Sequence, residues 1–71
     1  MKELTTQKAI EHLVFTGYSK YRIAKMLGVQ PIMLTHYERG HIRMSQATAD
    51  KMRAYYGIII TDAKVRKSEA V

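Results

Sequence analysis

Between Ser19 and Arg43 the sequence gathers Lys20, Arg22, Lys25, Arg39 and Arg43 around a single acid, Glu38. Interleaved with these cations are side chains that offer directed hydrogen bonds: Ser19, Gln30, Thr35, His36 and His41. Cations at that density suit a polyanion, because each one that meets a phosphate releases its condensed counterion. Amide and imidazole groups add the ability to tell one base edge from another. The same inventory argues against an enzyme: no nucleophile stands with a base, no carboxylates are paired, and no glycine-rich loop is present to cradle a phosphate. His12, His36 and His41 do not suggest a metal site, since their spacing suits no single helix face and no acid or thiol completes them. No cofactor is expected.

Presenting those side chains requires rigid elements, and the stretch from Ser19 to Gly40 reads as two short helices joined by a tight turn. Ser19 is placed to cap the first helix, its hydroxyl accepting from an unpaired N–H of the opening turn. Ile23, Ala24 and Leu27 then share one face. Gly28 closes the helix, because glycine enters the left-handed region without steric penalty. Val29 plugs the turn, and Pro31 stands at the first position of the second helix, where a missing N–H costs nothing. Leu34 and Tyr37 form the inward face of that helix, and Gly40 stops it. Helices that cross steeply need a small residue at their closest approach, a place filled by Ala24. The outer face of the second helix carries Gln30, Ile32, Met33, Thr35 and His36, with Ile32 or Met33 open to packing on a neighbouring helix.

At this spacing, Ile23-Ala24, Leu27-Gly28-Val29, Leu34, Tyr37 and Glu38-Arg39-Gly40 resemble the helix-turn-helix of the phage repressor, Cro and XRE-type transcription regulators. With flanking helices the resemblance extends over roughly residues 5 to 57. It implies an all-α, lambda-repressor-like domain of four to five short helices. It also implies a homodimer that binds a double-stranded operator as a transcription regulator in a bacterial or phage setting. Mapped from such repressors, the base-reading positions are Gln30, Pro31, Ile32, Thr35 and His36. Gln30 can pair with adenine and His36 can donate to guanine; Thr35 is less selective, and Pro31 and Ile32 can pack on a thymine methyl. Relatives commonly carry glutamine, serine or arginine where Pro31 and Ile32 stand, so this chain favours methyl contact and duplex shape over a bidentate code. Phosphate contacts are expected from Ser19, Lys20, Arg22, Arg39, His41 and Arg43, and the resemblance supports Lys20 in particular. Glu38 opposes the dipole of its own helix, which an ion pair with Arg22, Arg39 or Arg43 would explain.

The rest of the chain frames this unit. Its 71 residues allow one domain with a marginal core, and the absence of cysteine excludes disulfide staples. Twelve Lys and Arg against six Asp and Glu leave a net charge of +6, which favours an anionic partner. A first helix is expected from a cap at Thr5 or Thr6 to about Thr16, burying Ala9, Ile10, Leu13 and Val14, after a frayed lead-in over residues 1 to 5. Tyr18 is expected to staple onto the second helix. After a loop that turns Ile42 or Met44 inward, Ser45 caps a fourth helix through Tyr56, with Ala49, Met52 and Tyr56 on one stripe. Ile58, Ile59 and Ile60 then form a short strand, or give way to a fifth helix from Thr61 or Asp62; either version offers a dimer contact. These boundaries give a DNA-binding domain at 1–63 and a basic tail at 64–71 that includes Lys64, Arg66 and Lys67. No apolar run is long enough for a bilayer or a signal peptide, so a cytoplasmic location is expected. Membrane and small-molecule partners are not expected. The rival reading is a protein-interaction adaptor or inhibitor built on the same scaffold.

Overall fold

The computed structural model describes residues 2–64. Arg66 and Lys67 of the expected tail lie outside the described residues. Strand β1 (Lys2–Leu4) leads into α1 (Thr6–Phe15), α2 (Lys20–Leu27), α3 (Pro31–Glu38) and α4 (Gln46–Tyr56), and β2 (Ile58–Ile60) follows. The described chain is therefore mostly helical with one short parallel strand pair. None of its helices is long and apolar enough to cross a membrane.

Capping residues set three of the four helix starts. Thr5, Ser19 and Ser45 accept hydrogen bonds from the backbone N–H of Lys8, Arg22 and Thr48 at 3.3, 3.2 and 3.3 Å. The buried faces follow the expected periodicity: Ala9, Ile10 and Leu13 on α1, Ile23, Ala24 and Leu27 on α2, Leu34 and Tyr37 on α3, Ala49 and Met52 on α4. Val14 lies at the edge of this face and is exposed. Met44 is the loop residue that turns fully inward, while Ile42 is half-buried against the same cluster.

Both chain ends depart from expectation. Residues 2 to 4 are not frayed: they pair in parallel with β2, in the register Lys2 to Ile58, Glu3 to Ile59 and Leu4 to Ile60. The ladder continues with Thr61 N–H donating to the Leu4 carbonyl at 2.9 Å. A strand of three isoleucines leaves backbone groups that need partners, and the chain's own N-terminal segment supplies them. No fifth helix follows among the described residues, because Thr61 and Asp62 turn the chain back. Lys64 belongs to the folded unit, its N–H donating to the Met44 carbonyl at 2.8 Å and its carbonyl accepting from Gln46 N–H at 3.1 Å.

One polar node fastens these ends. The Asp62 carboxylate accepts both the backbone N–H and the hydroxyl of Thr6, each at 2.8 Å. The same hydroxyl oxygen accepts from Met44 N–H at 3.1 Å. Thr6 is buried, so every one of its polar atoms must find a partner within the protein. Asp62 supplies a second anionic cap to α1 from 56 residues away. Asp62→Ala and Thr6→Val should each lower the free energy of unfolding by about 1–3 kcal/mol. The double variant should lose less than the sum of the two in urea unfolding curves, and strict additivity would show that these groups act independently.

Candidate nucleic-acid interface

α2 and α3 are joined by Gly28, Val29 and Gln30. Gly28 closes α2 at φ 72°, and the N–H of Val29 donates to the Ala24 carbonyl at 3.0 Å. Lys51, on α4, reaches the same turn, its Nζ donating to the Leu27 carbonyl at 3.3 Å. A cation is thereby set at the carbonyl end of α2, where the helix dipole favours it. A Cβ on Gly28 would lie 3.0 Å from that Nζ. α3 opens with Pro31 at its start and with no side-chain cap, leaving the Gln30 amide free of that duty. Leu34 and Tyr37 then pin α3 into the core. Burial pushes the Tyr37 phenol upward, with the Thr48 side chain opposing in part; the ring stays neutral at physiological pH and acts as an anchor.

The outward face of α3 carries most of the expected reading positions. Gln30 and Pro31 are exposed, and Ile32 is 59% exposed. Met33 takes the inward alternative and packs half-buried against the core, which leaves Ile32 as the apolar side chain available to a ligand. Thr35 and His36 are half-buried. The His36 and His41 rings lie 6.1 Å apart between centroids, brought together by the turn in which His41 N–H donates to the His36 carbonyl.

Of the expected phosphate contacts, Ser19, Arg22, Arg39, His41 and Arg43 are exposed. Lys20 is engaged: its Nζ meets Glu38 Oε1 at 2.8 Å. The partner of Glu38 is thus none of the arginines expected for it. The fold sets the first residue of α2 beside the last residue of α3, a proximity that 18 positions of sequence separation conceal. The pair neutralises the sole acid of the Ser19 to Arg43 stretch, so the arginines around it face no uncompensated negative charge.

Tyr18 packs edge-to-face on Tyr56 of α4, with ring centroids 5.3 Å apart, in place of the expected staple onto the second helix. Burial pushes the Tyr56 phenol upward and the neighbouring Tyr18 adds to this, while the Arg22 charge opposes it. Arg22 stands between two shallow clefts, one shared with Tyr18 and Ser19 and the other with Tyr21, Lys25 and Met26.

The expected dimer contact is not available as drawn. Ile58 and Ile60 are 2% and 8% exposed and belong to the chain's own core. Ile59, half-buried, lies opposite Glu3 in the strand pair. Alternation along a strand sends Ile58 and Ile60 to one side, and α4 covers that side. The sequence does not point to Lys51 at the turn or to Asp62 as a cap for α1. Lys51 and Asp62 act across 24 and 56 residues, and no local pattern announces such contacts.

No family model, curated protein or solved structure matches the chain.

Gly28→Ala should cost about 1–2 kcal/mol from left-handed strain, read from the unfolding midpoint, and more if Lys51 cannot move aside. Lys20→Met should change stability by no more than about 1 kcal/mol, since both partners of the ion pair are partly solvated. A larger loss would mean that the pair holds α2 against α3.

Proposed function

We propose that this protein binds double-stranded DNA in a sequence-specific manner, as a transcription regulator of the Cro or phage-repressor kind. In this reading α3 enters the major groove. The observation that carries it is the uncapped, exposed start of α3, with Gln30, Pro31 and Ile32 free of core contacts and Arg22, Arg39, His41 and Arg43 exposed on the flanking segments. A helix of this size fits the major groove of B-DNA, and the flanking cations suit the phosphates on either side. Gln30 and His36 would supply the hydrogen-bonded base contacts and Thr35 a weaker one. Pro31 and Ile32 would pack on thymine methyls. Ser19, Arg22, Arg39, His41 and Arg43 would fix the register on the backbone, joined by Lys20 once Glu38 yields it.

Regulation by occupancy of an operator needs no catalytic cycle, and none is assigned. A homodimer would place two α3 helices on half-sites about one helical turn apart and would account for a nearly palindromic operator. One reading helix by itself seldom gives enough discrimination among the competing sites of a genome. A cytoplasmic setting fits this role.

Titration with duplex DNA over a series of salt concentrations should give a log–log slope of about −2 to −3 per protomer, from Arg22, Arg39 and Arg43, with Lys20 held by Glu38. A flat response would favour the adaptor or inhibitor reading instead. Glu38→Gln should tighten binding to all duplexes alike and steepen the slope by about one counterion, because it releases Lys20. Sites selected from a random duplex pool should be nearly palindromic. Gln30→Ala or His36→Ala should relax preference at one base pair at a cost of about 1–3 kcal/mol, while Arg43→Ala should weaken all sequences equally.

A further inference from the structure

Phe15, the chain's single phenylalanine, ends α1 with 90% of its surface exposed. A large aromatic in water at the end of a well-formed helix gains nothing for the monomer, and such side chains recur at contact surfaces. Phe15 lines a shallow cleft of about 390 Å³ with Leu4 and Lys2 of β1 and with Lys8, Glu11 and His12 of α1. On α1 these positions fall at the spacing of one helix face, turned away from the core.

We infer that this α1/β1 face is the contact between two copies of the chain, with Phe15 as its anchor. The inference rests on the homodimer clause of the function proposed above and gives that clause a surface, since Ile58 and Ile60 are consumed by the core.

Charge distinguishes this face from the exposed apolar cleft on α2. Tyr21, 69% exposed, and Met26 share their cleft with Arg22 and Lys25 and with no acid, so two copies meeting there would repel. The Phe15 face carries both signs. Lys8 and Glu11 lie 3.5 Å apart within one chain, exposed on the same helix face. A two-fold contact brings the same patch of both molecules together, so a surface with paired opposite charges is complementary to its own copy. Setting two α1 helices antiparallel, with Lys8 against Glu11 of the second copy, also carries Phe15 towards the Leu4 end of the second copy's cleft. Each Phe15 then fills the groove that the other molecule leaves open.

The test is the mass of the full chain, without DNA, by sedimentation equilibrium across a range of concentrations. The unmodified chain should pass from monomer to dimer, and Phe15→Ser should raise the dissociation constant at least about tenfold. Lys8→Glu and Glu11→Lys should each weaken the dimer, and the two together should restore it. Phe15 is outside the core, so at concentrations where the unmodified chain is monomeric the Phe15→Ser melting temperature should match it, and the charge reversals test the same surface by a second route. A monomer at every concentration overturns the inference, as does a dimer unaffected by Phe15→Ser or by single reversal. Duplex titration of the same samples separates the two proposals. Salt-dependent DNA binding by a permanent monomer sinks this surface alone, whereas a Phe15-dependent dimer without DNA binding leaves the surface standing and sinks the DNA reading.

Discussion

The hydroxyl of Thr6 is held between the two ends of the molecule, donating to Asp62 and accepting from the backbone of Met44. Around that buried group the β1/β2 pair closes, α1 acquires its second cap, and the loop that follows α3 is drawn onto the core through Met44. Without the node, the N–H groups of Thr6, at the start of α1, and of Met44 would each lose their partner. A chain of this size buries too little apolar surface to hold its elements by hydrophobic contact alone, so a satisfied polar node between remote segments carries disproportionate weight. The described residues leave no buried side-chain nitrogen or oxygen without a partner.

What the node stabilises is a platform for two eight-residue helices that could not persist by themselves. α2 gains its fixed position from Ile23, Ala24 and Leu27 beneath it and from Lys51 at its carbonyl end. α3 is pinned by Leu34 and Tyr37 and contributes little propensity of its own. Pinning at those two places leaves Gln30, Pro31 and Ile32 outside the core. The Lys20–Glu38 pair spans the unit from the beginning of α2 to the end of α3 and removes its one uncompensated negative charge. Rigidity beneath the exposed positions and uniform sign around them arise from the same packing.

The exposed apolar clefts at Tyr21 and at Phe15 divide by charge. Tyr21 and Met26 sit among cations only, a setting suited to an anion and hostile to a second copy. Phe15 sits among both signs, a setting in which like can meet like. The proposal of the Phe15 face for self-association therefore rests on electrostatic self-complementarity, a property that hydropathy does not register.

The local signals in the chain were strong enough to specify the helices. Ser19, Gly28, Pro31, Ser45 and Gly57 act on their immediate neighbours through capping bonds and backbone conformation, and the apolar spacing of α1 to α4 marks their inner faces. Those effects operate within a turn or two and can be read in order along the sequence. Tertiary structure alone decided that Lys2 to Leu4 is a strand, that Asp62 caps α1, that Glu38 pairs with Lys20 and not with an arginine, and that Ile58 and Ile60 belong to the interior. The first three of these join groups 18 or more residues apart. Such pairs become neighbours only when the four helices have packed, because nothing in the local chemistry of either member selects the other.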